Sequence, residues 1–126
     1  MPFNEYDFPS NLEERDYRLF PAELEDNENV AFHGTDLENL LSITQNGFRP
    51  GPNLSSVSFA KESSGALYFW CLKRTTDAEG VILAVRFESL SRNGLLVESS
   101  IIHDYTVEPQ PEIIGFVRVP RHYQHR

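Results

Sequence analysis

The sequence predicts an α+β fold, a mostly antiparallel or mixed β-sheet with two flanking helices. Three observations lead there. Two segments of helical periodicity, 36–46 and 63–74, come early, and a run of strand-like segments follows them. Those later segments are short, β-branched and separated by turn residues such as Asn93-Gly94. Neither a GxGxxG nor a GxxxxGK loop is present, which argues against a doubly wound nucleotide-binding sheet.

The elements follow in chain order. Residues 1–29 carry Pro2, Pro9 and Pro21 and read as irregular. Phe3, Tyr6, Phe8, Tyr17 and Phe20 make this stretch too aromatic for a disordered tail, so it is expected to pack as an arm on the domain. Val30-Ala31-Phe32 reads as a short strand that stops at His33-Gly34-Thr35. Thr35 and Glu38 have capping-box spacing, and Leu37, Leu40, Leu41 and Thr44 follow at helical spacing, which predicts a helix over 36–46. Gly47 stands where a helix ends, with Phe48 placed to fold back on the last turn. Arg49 to Asn53 holds two prolines and a glycine and reads as a loop.

Val57 to Ala60 alternates and predicts a strand. Ser63 and Ser64 are candidate caps for a helix over 63–74, in which Leu67, Trp70 and Cys71 share a face; a buried strand also fits so apolar a run. Phe69, Trp70 and Leu72 are expected in the core, and Cys71 as inert core. A turn over 75–80 precedes strands over 81–87, 95–97, 101–107 and 113–119. Residues 121–126 form a basic tail expected to fray. The organisation is thus an acidic arm (1–29), a domain (30–120) and that tail.

Length and charge narrow the function classes. A chain of 126 residues fits one domain, and 40% hydrophobic with 24% charged residues is a globular composition. The longest apolar run, Ala66 to Leu72, is far short of the ~20 residues of a membrane helix, so no membrane partner is expected. No basic leader precedes the acidic start, and a cytoplasmic setting, or delivery into a target cytosol, is expected. A single cysteine excludes an intrachain disulfide. His103, His122 and His125 lack metal-ligand spacing with an acid or cysteine, and no metal is expected.

The net charge of −8 is concentrated at the start: residues 1–30 hold nine acids against Arg15 and Arg18, so the remainder is nearly neutral. Nucleic-acid binders are usually basic, because phosphate contacts dominate their affinity. The acidic segment reads first as solvated surface and second as a face for a basic partner.

Three features form one pattern. A strand ends in His33-Gly34-Thr35 and leads into a helix closing at Asn46-Gly47-Phe48. Val57-Ser58-Phe59-Ala60 leads into Ser63-Ser64-Gly65-Ala66-Leu67-Tyr68. A late strand pair begins beside Glu98. Over about residues 30–119 this order resembles the ADP-ribosyltransferases of the diphtheria-toxin and poly(ADP-ribose) polymerase type. The resemblance implies NAD as the substrate, with no metal. It implies that His33 bonds a ribose hydroxyl, that Gly34 brings its backbone to the nicotinamide carboxamide, and that Thr35 serves the adenosine side. Tyr68 would stack on nicotinamide, and Glu98 would bond the nicotinamide ribose and favour an oxocarbenium-like transition state. His33, Tyr68 and Glu98 are the candidate catalytic residues; His33, Gly34, Thr35, Ser58 and Tyr68 are the candidate NAD-binding residues.

The chemistry is sound on general grounds. Breaking a C–N glycosidic bond develops positive charge on the sugar, and a preorganised carboxylate stabilises that charge selectively in the transition state. The chain also departs from the family pattern. Ser58 replaces the tyrosine of the second strand and Gly65 a serine before the stacking tyrosine. The acid is Glu98 or, failing it, Asp104, Glu108 or Glu112, and Ser99 lies one residue from the aligned position.

The expected function is mono-ADP-ribosyl transfer from NAD to a protein or nucleic-acid acceptor, in an effector or toxin by analogy of size. An inactive interaction or NAD-binding module of the same fold is the alternative. An RNA 2′-phosphotransferase is the further one, on the loose likeness of the strand entry Val107-Glu108-Pro109-Gln110-Pro111-Glu112-Ile113.

Overall fold

The computed structural model describes residues 4–51, 54–74 and 78–124. Pro2, Phe3, Pro52, Asn53, Thr75 and His125, used above, lie outside them. The architecture is α+β. Seven strands, β1 (Asn4–Tyr6), β2 (Val30–Asp36), β3 (Val57–Ala60), β4 (Gly80–Arg86), β5 (Leu95–Glu98), β6 (Ile101–Asp104) and β7 (Glu112–Val119), form one mixed sheet. Their order is β1-β7-β4-β2-β3-β6-β5. All neighbours are antiparallel except β1 and β7. The helices are α1 (Ala22–Glu25), α2 (Leu40–Asn46) and α3 (Ser63–Lys73).

Alternation along the central strands gives the sheet two apolar faces. On one, Phe32, Ala60, Ile82, Ala84, Val117 and Val119 pack against Ala66, Leu67 and Trp70 of α3 and against Leu12, Leu19 and Phe20 of the N-terminal segment. On the other, Ala31, Phe59, Val81, Leu83, Val85 and Ile102 pack around Phe48 and Phe87, with Leu37, Leu40 and Ile43 covering them. The N-terminal segment is therefore part of the core. Phe20 stacks on Phe32 at 5.3 Å and meets Tyr6 edge-on at 5.6 Å.

Trp70 fixes α3 to the sheet. Its indole Nε1 donates to Asp36 Oδ1 at 2.8 Å, and the Arg74 guanidinium lies 4.5 Å from the ring centroid on one face. The seat is made by missing side chains. A Cβ at Gly34 would stand 2.8 Å from the Ala66 carbonyl oxygen and 2.9 Å from Trp70 Cβ, and one at Gly80 would overlap the indole.

Several expected boundaries shift, each for a tertiary reason. β2 does not stop at His33 but runs to Asp36, because β4 pairs with it over its whole length, to Asp36↔Gly80. The predicted helix over 36–46 accordingly shortens to a 3-10 turn, Leu37–Asn39, followed by α2. The capping box is not used: no side chain caps the turn, and the Thr35 hydroxyl accepts from Asn39 Nδ2 instead. Gly47 does end α2, at φ 81°, with its N–H on the Ile43 carbonyl. Ser63 and Ser64 do not cap α3, whose N-cap is Glu62. Ser63 is buried; its hydroxyl donates to Glu25 and accepts from the Leu19 N–H, tying helix to arm.

Phe69 and Leu72 are not core. Residues 63, 66, 67 and 70 occupy the sheet-facing stripe of α3, leaving those two exposed, while Cys71 is half-buried. The strand expected over 101–107 ends at Asp104, whose carboxylate takes the Val107 N–H at 2.9 Å and turns the chain. The tail does not fray over its described part. Arg74 donates to the carbonyls of Ala78, Arg121 and Tyr123, and Tyr123 packs edge-on to Phe8 at 5.3 Å.

The close approach of α3 to β2 has a measurable consequence. Gly34→Ala is expected to lower stability by about 1–3 kcal/mol, since backbone and Trp70 must move apart. Gly65→Ala, whose Cβ would meet only Ala60 Cβ at 3.4 Å, is expected to be neutral or stabilising by up to ~1 kcal/mol. Urea unfolding of the two variants checks the contrast, and equal destabilisation would refute the packing argument.

Candidate functional site

The sheet opens beside β2. β2 meets β3 at one position, Phe32↔Ala60, and the two strands then diverge. Alternate residues of an antiparallel strand point their backbone groups to opposite neighbours, so half of those beyond Phe32 face the gap instead of β4. A cleft of about 780 Å³ fills the opening. Residues 32–36 of β2 form one wall, and β3 with Ile101, His103 and Tyr105 on and just beyond β6 forms the other. Ala66, Phe69, Trp70 and Lys73, at helical spacing on α3, close one side; Arg49, Pro50, Gly51 and Leu54 close the mouth.

His33 bridges the gap. Its Nδ1 lies 2.9 Å from the Ser58 carbonyl oxygen, and because a carbonyl only accepts, Nδ1 carries the proton. The ring is held edge-on by Phe48 at 5.3 Å and tilted on Phe59 at 5.5 Å. Phe48 is in turn pinned by Gln110, which accepts from the Phe48 N–H at 2.7 Å and donates to its carbonyl at 3.0 Å. Burial pushes the His33 pKa below the usual imidazole value; the Ser58 hydrogen bond opposes this and the Lys73 charge adds to it. At neutral pH the ring is therefore neutral, and Nε2 is an acceptor suited to a hydroxyl group.

The walls carry two cations, Arg49 and Lys73, within a chain of net charge −8. The carboxylate among the lining residues, Asp36, is engaged by the Trp70 N–H. A locally cationic cleft in an acidic protein focuses its field on anionic ligands.

Of the residues expected to form the site, the structure brings His33, Gly34, Thr35 and Ser58 to the cleft. Gly34 has a second reason to be glycine, the seating of α3. Tyr68 does not line the cleft. It is 45% exposed and one position off the lining stripe of α3, where Phe69 stands instead. Glu98 does not line it either. It ends the edge strand β5 on the same sheet face as His103, with Oε1 3.8 Å from His103 Nε2.

The other candidate acids are structural or distant. Asp104 is fully buried, its Oδ2 2.6 Å from Arg92 Nη2. Glu112 pairs with Arg86, and the Glu108 carbonyl accepts from Arg92. Sequence reasoning missed His103, which faces Ser58 directly across β3 and β6 with Nδ1 3.1 Å from Ser58 Oγ. The alternation Ile101, His103, Tyr105 was visible, but not the strand it would pair with. Among the described residues no helix is long and apolar enough to cross a membrane, and no three His, Cys, Asp or Glu side chains gather to hold a metal ion. No family model matches the chain, and no curated protein matches it in sequence.

Two outcomes are expected. Asp104→Ala removes the ion-pair partner of Arg92, which is 12% exposed, and the acceptor of the Val107 N–H, and should cost about 3 kcal/mol in urea unfolding while leaving the cleft side chains in place. The lowered His33 pKa makes native stability depend on a neutral ring. That contribution is full above about pH 6.5 and is lost as pH falls from there toward the native value, because the unfolded chain then binds the extra proton. Unfolding of wild type and His33→Gln at pH values from about 8 to about 5 should show this loss in wild type only.

Proposed function

We propose that the cleft binds NAD and that the protein is a mono-ADP-ribosyltransferase, releasing nicotinamide and transferring ADP-ribose to a macromolecular acceptor in a cytosolic setting. One observation carries the reading: the sheet parts beside His33-Gly34-Thr35 into a cleft of about 780 Å³ that has cations at its walls. That volume lies within the range of small-molecule sites. Arg49 and Lys73 suit a diphosphate, the neutral His33 Nε2 suits a ribose hydroxyl, and the backbone edge of β2 suits a carboxamide. Phe69 offers the aromatic face on α3 that Tyr68 was expected to supply. Glu98 stands behind the lining residue His103, with Oε1 3.8 Å from its Nε2.

A second reading, an NAD-binding module without turnover, is favoured by the positions of Tyr68 and Glu98 outside the lining. The two readings differ in one measurable product. NMR titration of labelled protein with NAD should shift the His33, Gly34 and Phe69 resonances, and chromatography of the same sample should detect free nicotinamide over hours. His33→Ala is expected to weaken NAD binding about tenfold, the worth of one lost hydrogen bond. Shifts without nicotinamide favour the module, and no shifts at saturating NAD would refute both.

A further inference from the structure

We propose that Ser58 and His103 on the cleft wall, with Glu98 behind them, form a nucleophile–base–acid relay, and that the Ser58 hydroxyl itself accepts one ADP-ribosyl group. The inference rests on the NAD reading above. It begins with strand register. Ser58 and His103 are directly opposite on β3 and β6, and Leu96 and Glu98 of β5 continue the same sheet face. Directly opposed residues hold their Cβ atoms about 4.5–5.5 Å apart, so backbone pairing itself brings serine and imidazole together.

The observed geometry follows from that register. Ser58 Oγ is 3.1 Å from His103 Nδ1, and His103 Nε2 is 3.8 Å from Glu98 Oε1. The carboxylate beside Nε2 favours the tautomer with the proton on Nε2. That leaves Nδ1 as the acceptor, and the Ser58 hydroxyl donates to it. A nucleophile touching a base that is oriented by an acid is the general arrangement of an activated hydroxyl. The ring nitrogens are used in the reverse sense of the serine-hydrolase triad. Ser58 is exposed to the cleft, and the His33 hydrogen bond to its carbonyl holds its backbone at the gap.

The step balances. Ser58 Oγ bonds to the anomeric carbon of the nicotinamide ribose. The C–N bond to nicotinamide breaks, and its electron pair neutralises the pyridinium. The serine proton passes to His103 Nδ1, and Glu98 stabilises the resulting imidazolium. The product is an O-glycosidic ADP-ribosyl serine standing in the cleft, so the modification stops at one group per chain. Ser58 and His103 are catalytic in this step, and Glu98 is a positioning residue. The charged and titratable groups around His103 are Glu98 on β5, Tyr105 beyond its own strand, and His33, Asp36, Arg49 and Lys73 on the surrounding cleft walls.

Intact-mass spectrometry after incubation with NAD, with peptide mapping, tests the relay. Wild type should gain one ADP-ribosyl unit on Ser58. Ser58→Ala should gain none there, and Ser58→Thr, which keeps the hydroxyl, should gain it more slowly. His103→Gln should slow the gain about a hundredfold or more. Glu98→Gln should slow it about tenfold, and Glu98→Asp, which keeps the carboxylate, should restore part of the rate. NAD binding is followed by NMR in parallel. Binding without an adduct, or an adduct elsewhere, overturns the relay and leaves the NAD reading standing. A Glu98→Gln rate identical to wild type removes Glu98 from it. No NAD binding removes both the reading and the relay.

Discussion

The seat of Trp70 is the contact on which the rest depends. Its indole needs two absent side chains, at Gly34 and Gly80, and one hydrogen-bond acceptor, Asp36. All three lie on β2 and β4, so a single side chain sets the height and tilt of α3 over the strand that carries His33. The lining stripe Ala66, Phe69, Trp70 and Lys73 is then delivered to the cleft as a unit. Arg74 reinforces the clamp from above and ties it to the carbonyls of Arg121 and Tyr123. Packing and site formation are thus one event.

The cleft reconciles two demands that conflict on a simple view of charge. An acidic surface keeps a small protein soluble, yet an anionic ligand needs a positive environment. Nearly all of the net negative charge resides in the first thirty residues, while the cleft is walled by Arg49 and Lys73. His33 contributes no charge of its own at neutral pH, because burial disfavours the imidazolium. The cleft thus holds its charged groups, Arg49 and Lys73, apart from the neutral acceptor of His33, on different walls.

Much of the fold was legible where local and tertiary preferences agree. The strands at β3, β4 and β7, the end of α2 at Gly47 and the helix of α3 all follow from periodicity or turn chemistry. The misses occur where a distant partner overrides a local signal. Thr35 and Glu38 spell a cap, but seven residues of pairing with β4 hold the segment extended. Phe69 and Leu72 look buried from hydropathy alone, and only the docking of α3 through Trp70 decides which stripe faces the sheet. The candidate site was legible at His33, Gly34, Thr35 and Ser58, which share the β2–β3 opening. Tyr68 and Glu98 depended on the rotation of a helix and the register of an edge strand, neither of which a single sequence encodes locally.

The parallel pairing of β1 with β7, the one such pairing among the described residues, gives this small fold a demanding closure. Glu5 and Arg118 join at 2.7 Å although 113 positions separate them, and Phe8 meets Tyr123 over a similar span. Such closures carry a high loop entropy and tend to come late in folding. Until the arm docks, the face bearing Phe32, Ile82 and Val117 lacks its cover of Leu12, Leu19 and Phe20. Any chain in which the arm is undocked would present a bare apolar flank beside the sheet, the kind of surface on which aggregation and chaperone binding begin.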